Sequence, residues 1–279
     1  MAVVFGAIAP HGWLAVPELC APAELHLAAA TQEAMLELGT RFDAAAPEAT
    51  ILFTPHNVHV EGCMAVLTAA TLAGSLPSED PAQSGIHLEA RIDRPLALAI
   101  RDELRAEGLP VVGVSYGAND ETGAEMPMDW ATLIPLWYLG GRRDPAPPVV
   151  VVAPARELAA GDQVRAGLAV AAAAEKAGRR VAVIASADHG HGHLESGPYG
   201  FSPASKPFDE RVVEIVRSGS LGELVAFERT FVDEARADSW WQLLMLHGAL
   251  QGAGAWTAEL LSYEAPTYFG MLCASFLPA

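Results

Sequence analysis

The sequence has little of what a secreted, membrane-bound or nucleic-acid-bound protein needs. Only three cysteines, Cys20, Cys63 and Cys273, occur in 279 residues, far apart and with no CxxC pair. Neither a disulfide framework nor a structural zinc site is expected, and a reducing cytoplasm is. Basic residues are scarce as well: 17 Lys+Arg stand against 34 Asp+Glu, a net charge of −17. That balance argues against nucleic acid, whose phosphates need a basic face, and against an anionic membrane surface. No Lys or Arg precedes the short apolar run Met1-Ala-Val-Val-Phe-Gly-Ala-Ile8, and later apolar runs are broken by Gly, His or Gln. All fall short of the roughly 20 residues a span requires, so secretion and membrane crossing are both disfavoured. The 25 Gly and 20 Pro follow no period, and no long run of one charge appears, which excludes fibrous and disordered classes.

What remains is 51% hydrophobic and 18% charged, the make-up of a globular protein. A chain this long can bury about 75% of its unfolded surface without staples. Short β-branched runs alternate with Ala/Leu/Glu-rich stretches, so we expect an α/β fold, one domain over residues 1–279 with a mostly parallel sheet covered by helices. Expected strands are Val3 to Ile8, Thr50 to Phe53, Pro110 to Val114, Val149 to Ala153 and Arg180 to Ser186, near-continuously apolar as in a sheet buried on both faces. Expected helices are Ala23 to Leu38, Leu96 to Glu107, Asp162 to Ala177, Phe208 to Ser218 and Ser239 to Gly252. Gly74 to Gly85 and Gly140 to Pro148 read as loops. The apolar stretch Tyr263 to Phe276 could pack on its own sheet or on another subunit.

Six of the nine histidines follow three of these strands: His11, then His56 and His59, then His189, His191 and His193. In open α/β sheets the crevice beyond the carboxyl ends of the strands binds ligands, so these distant segments should converge on one site. Converging imidazoles point to a metal or to proton transfer. In Ser186-Ala-Asp-His-Gly-His-Gly-His193 an extended backbone would turn all three histidines to one face; the plainer reading is a solvated His-rich turn. A Pro-His pair closes two strands, Pro10-His11 and Pro55-His56, and packing alone explains that poorly. His26 and His87 read as structural or solvated, and His247 as a core or interface residue. Non-haem iron sites commonly combine two imidazoles with one carboxylate. For the carboxylate, Glu234 and Asp238 both stand just before the Trp-rich helix, while Asp238 could instead be that helix's N-cap.

These residues resemble a known family, the class III extradiol ring-cleavage dioxygenases, which include protocatechuate 4,5-dioxygenase beta subunits and the related Memo-like proteins. Ala7-Ile-Ala-Pro-His11 resembles the family's N-terminal ligand motif and Phe53-Thr-Pro-His-Asn-Val-His59 its second histidine segment. Ser186-Ala-Asp-His-Gly-His191, followed by Gly200-Phe-Ser-Pro and Phe208-Asp-Glu, resembles its Ser-Gly-Asp-Leu-Ser-His stretch. The resemblance implies Fe(II) held by His11, His56 and a carboxylate, Asp238 or Glu234, with His191 moving the proton and His189 as its alternate. It also implies a small aromatic substrate of catechol or 2-aminophenol type, dioxygen as co-substrate, and an assembly of like copies or with a small second subunit. His59, His193 and Trp130 are the expected substrate-facing residues. Where the family carries Asp-His-Gly before an apolar Pro-Leu strand, this chain reads Met128-Asp-Trp-Ala-Thr-Leu-Ile-Pro-Leu136. Trp130 thus stands in place of a histidine; it can stack on a ring but cannot accept its proton. The alternative is a Memo-like, non-oxygenase protein that binds a metal, small ligand or partner through the same fold. A zinc hydrolase using the same histidines is a further one.

Overall fold

Unbroken aliphatic runs need cover on both faces, and the chain supplies it with helices packed on a broad sheet. The computed structural model describes residues 2–117, 120 and 122–279. In chain order the elements are β1 (Val3–Ala9), α1 (Ala29–Ala45), β2 (Ala49–Phe53), β3 (Met64–Leu67), β4 (Thr71–Leu76), β5 (Ile86–Arg91), α2 (Arg94–Ala106), β6 (Val111–Val114), β7 (Glu125–Pro127), α3 (Trp130–Tyr138), β8 (Val149–Ala153), α4 (Ala160–Lys176), β9 (Val181–Ser186), α5 (Ser205–Ser218), α6 (Arg229–Glu234), α7 (Trp240–Ala253), β10 (Trp256–Glu264) and β11 (Met271–Pro278). The large sheet runs β10-β11-β1-β9-β2-β8-β3-β6, and β5-β4-β7 form a small second sheet. Parallel pairing joins β1 to β9, β9 to β2, β2 to β8 and β3 to β6. Every residue of β2, β8 and β9 is buried.

The five expected strands are β1, β2, β6, β8 and β9. The stretch Tyr263 to Phe276 packs on its own sheet: β11 runs antiparallel to β1 on one side and to β10 on the other. One expected boundary needs correction. The first helix starts at Ala29 rather than Ala23, because its first turn is anchored from far away: both the backbone N–H and the hydroxyl of Thr31 donate to the Glu264 carboxylate, at 2.7 and 2.8 Å. It then runs through Gly39, where the Tyr138 carbonyl presses so close that an added Cβ would lie 3.0 Å from it. Residues 130–138, for which no element was expected, form a helix. The Asp129 carboxylate caps it by accepting from the Thr132 N–H at 2.9 Å, and it tolerates Pro135 in its interior. The segment from Gly74, read as loop, begins inside β4.

α7 crosses β9, β1 and β2 and packs on α4. Gly167 and Gly248 permit this contact, since a Cβ on either would fall on a carbonyl of the facing helix. The N-terminus of α7 is thereby held over the carboxyl ends of the central strands, where the site forms.

Candidate metal centre

Three parallel strands end in the same way. Proline, which has no N–H to continue a ladder, follows β1 at Pro10, β2 at Pro55 and β8 at Pro154. The chain then turns out over the sheet edge and delivers His11, His56 and Arg156 to one place. β9 ends alongside and contributes Asp188 and His191. Asp238, at the start of α7, closes the group.

One donor atom each from His11, His56 and Asp238 lie within 4.8 Å of one another. His56 Nε2 is 2.8 Å and His11 Nε2 3.5 Å from the same carboxylate oxygen, Oδ2 of Asp238. Donors bound at about 2.0 to 2.2 Å around one ion lie roughly 3 to 3.5 Å apart; the His11–Asp238 spacing already has that value, and the His56–Asp238 hydrogen bond would open slightly to admit an ion. The two imidazoles are crossed at 87° with centroids 5.2 Å apart. Behind them the outer partners are fixed. His11 Nδ1 is 2.9 Å from the Ser186 hydroxyl, and Arg156 Nη2 donates to Asp238 Oδ1 at 2.7 Å, leaving Oδ2 for the site. Burial would raise the Asp238 carboxyl, but hydrogen bonds and charge from His11 and His56 hold it well below the usual carboxylate range. Burial works to lower His11 and is outweighed by Asp188 and Asp238, which raise it. A buried anion between two imidazoles is an electrostatic arrangement that a cation completes.

The group opens on a cavity of about 360 Å³ walled by Trp13, Trp130, Tyr199, Tyr268 and Phe269. That volume suits a single aromatic ring. Trp130 is 45% exposed and its ring lies 4.6 Å from that of His56, at the N-terminus of α3. His191 also faces the cavity, stacked on Phe269 at 20° and 5.5 Å. Its Nδ1 is 2.6 Å from the His189 carbonyl; a carbonyl only accepts, so Nδ1 carries a proton and, in the neutral ring, Nε2 has the lone pair.

The other expected site residues lie elsewhere. His189 is fully buried behind the wall, its Nδ1 2.9 Å from the Ser239 hydroxyl, and burial pushes its pKa down. It holds His191 through its carbonyl and does not line the cavity. His193 turns away, because Nε2 is tied at 2.9 Å to Asp209, a buried carboxylate that also accepts from the Tyr263 hydroxyl and the Gly190 N–H. The alternating glycines let the backbone turn, so the three histidines do not share a face. His59 is exposed beside Glu157 at 3.3 Å. Glu234 ends α6 with an exposed side chain and is not among the three metal-capable residues. Asp238 is not an N-cap either: Ser239 holds that position, and the Asp238 carboxylate faces the histidines.

Sequence reasoning passed over two residues. Asp188 is buried, its Oδ1 accepts the His11 N–H at 3.0 Å, and its Oδ2 lies 3.4 Å from His11 Nε2; attention to the flanking histidines hid it. Arg156 was signalled by the third strand-end proline, at Pro154.

Known proteins resemble this chain over most of its length. Residues 7–272 match the family model of the catalytic LigB subunit of aromatic ring-opening dioxygenase. Protein CA_C1420 of Clostridium acetobutylicum is 24% identical over 255 residues, covering 91% of this chain and 53% of the relative. The chain thus spans about half the length of that relative. A crystal structure titled uncharacterized protein JW3007, from Escherichia coli K12, superposes with a TM-score of 0.58 at 18% identity, covering 98% of this chain and 99% of that one. That likeness concerns the fold, and the family match extends over nearly all of the chain: it belongs to the family of the catalytic LigB subunit of aromatic ring-opening dioxygenase.

Proposed function

We propose that the chain is a non-haem Fe(II)-dependent extradiol-type dioxygenase that opens the ring of a catechol- or 2-aminophenol-type aromatic next to the diol, both atoms of dioxygen entering the product. The observation that carries this reading is the pairing of His11, His56 and Asp238, on one side only, with an aromatic-walled cavity of about 360 Å³ that also holds His191. Two imidazoles and a carboxylate on one face leave the opposite side for reactants. When bound, Fe(II) would supply the electronic link between diol and dioxygen.

The remaining work falls to the chain's own groups. Trp130 and Phe269 offer faces on which a ring can stack. The neutral His191 ring, held with Nδ1–H on the His189 carbonyl, turns its Nε2 lone pair to the cavity, where it accepts a proton from the substrate's hydroxyl and can return it to the opened product. Tyr268, Phe269 and Trp13 exclude water from the ring's edge. The family membership supports the reaction class, and the donor set supports the metal.

The test is anaerobic reconstitution with Fe(II), then oxygen uptake and visible absorbance with catechols, gallate and 2-aminophenol. Stoichiometric uptake with a yellow ring-opened product is expected. Full iron binding with no uptake across the panel would favour the non-oxygenase alternative, and failure to bind iron would sink the mechanism.

A further inference from the structure

The Phe208-Asp209-Glu210 motif lies near the start of α5, outside the lining of the aromatic cavity. Phe208 anchors it, its ring 5.5 and 5.8 Å from those of Phe227 and Phe231. Asp209 is fully buried. Burying a carboxylate is costly unless its oxygens are bonded, and here both are. Oδ1 accepts the Gly190 N–H at 2.7 Å, while Oδ2 lies 2.9 Å from His193 Nε2 and accepts the Tyr263 hydroxyl at 2.7 Å. Burial and the Asp209 charge push the Tyr263 phenol up, so it stays a donor.

Two of these three partners flank one residue. Gly190 stands one position before His191 and His193 two positions after it, so a single carboxylate grips the segment on both sides of the histidine that faces the cavity. The same segment is laced to the chain that carries Phe269. The His189 N–H donates to the Gly270 carbonyl at 2.8 Å, the Gly270 N–H to the Gly190 carbonyl at 3.2 Å and the His193 N–H to the Tyr268 carbonyl at 3.1 Å. Asp209 lies directly under this ribbon: a Cβ on Gly270 would fall on its Oδ2, and one on Gly190 would lie 3.0 Å from its Oδ1. The carboxylate thus backs both partners of the His191–Phe269 stack.

We propose that Asp209 is a positioning residue for His191, resting on the dioxygenase reading above: it fixes the ribbon so that the His191 ring stays on Phe269, with Nδ1–H on the His189 carbonyl and Nε2 turned to the cavity. Asp209 acts only through His191 and its stacking partner. His193, which does not line the cavity, is the second hold. Asparagine keeps the shape of Asp209 but has one accepting oxygen where the donors use two. At position 193, alanine releases the hold, and glutamine, whose amide nitrogen stands close to the place of Nε2, keeps it.

The experiment reads His191 directly and then through turnover. Nuclear magnetic resonance of the metal-free full chain, with isotopically labelled histidine at about pH 8, should show a single His191 tautomer with Nδ1 protonated and Nε2 bare. His191→Ala assigns the signal. Asp209→Asn and His193→Ala should each give mixed tautomers, and His193→Gln the native one. The His193 side chain is 12% exposed, so that pair keeps the test open if Asp209→Asn does not fold. Turnover is followed as oxygen uptake by the Fe(II)-loaded chain, with the ring compound that supports it. Asp209→Asn should lower kcat by about 10-fold, with iron occupancy and KM unchanged. Added to His191→Ala it should slow the enzyme no further, because it acts through the residue already removed. Mixed tautomers in the wild type, a native tautomer in both Asp209→Asn and His193→Ala, or losses that multiply in the double variant would overturn the proposal. Absence of uptake by the wild type, with the tautomer shifting as expected, would uphold the positioning and refute the dioxygenase reading. Uptake by the wild type with a native tautomer in both variants would do the reverse.

Discussion

The Ser186 hydroxyl joins His11 to a defect in a helix. It lies 2.6 Å from the Ala131 carbonyl and 2.9 Å from His11 Nδ1. In an α-helix that carbonyl would accept from the residue four positions on, which is Pro135 and has no N–H. The hydroxyl supplies the missing donor and, having only one hydrogen, must accept from His11. Nδ1 of His11 therefore carries the proton and Nε2 presents its lone pair to the site. Ser186→Ala should weaken metal binding about 10- to 100-fold, the usual effect of losing a ligand's outer partner. Competition with a chromogenic chelator measures this, and unchanged affinity would refute the coupling.

The two candidate carboxylates are separated by direct comparison. Asp238→Ala, His11→Ala and His56→Ala should each leave the protein without bound iron after dialysis. Glu234→Ala should retain it, since that side chain is exposed at the end of α6. Metal analysis of the four variants decides the matter: iron retained in Asp238→Ala and lost in Glu234→Ala would reverse the assignment.

Local pattern made the centre of this molecule readable. β1, β2, β8 and β9 are continuous apolar runs, and the prolines and histidines after them mark the carboxyl edge where the site lies. What escaped is set by distant partners. The start of α1 depends on Glu264 in β10, 233 residues away. The helical state of 130–138 depends on the Asp129 cap and on Ser186 filling the gap left by Pro135. Spacing put His189, His191 and His193 on an equal footing, and only the contacts of His193 with Asp209 and of His189 with Ser239 separate them. β3 is a four-residue buried run, β4 is irregular and β7 has three residues, but β5 alternates strictly, with Ile86, Leu88 and Ala90 buried between exposed His87, Glu89 and Arg91, a period-2 signal that was there to read.

His191 is expected to move the proton rather than hold the metal. His191→Ala should keep full iron occupancy and lower kcat by about 10²- to 10⁴-fold. Full activity in the variant would remove His191 from the mechanism.

His189 ties stability to pH with a definite sign. Burial depresses its pKa, so the folded protein keeps a neutral imidazole where the unfolded chain, with an ordinary value of about 6.5, takes up a proton. Above that pH both states are neutral and the group contributes no pH dependence. As pH falls below about 6.5, the unfolded state gains a proton that the folded state does not, and stability drops by up to about 1.4 kcal/mol per pH unit until the folded-state pKa is reached. His11 acts in the opposite sense in metal-free protein: its raised pKa gives a contribution present below about 6.5 and lost as pH rises through the folded value. Comparison of wild type with His189→Asn, whose side chain can still bond Ser239, cancels this and every other group. The difference in denaturation midpoint should be flat above about pH 7 and shift steadily against the wild type towards pH 5; parallel profiles over the whole range would show that His189 is not held neutral by burial.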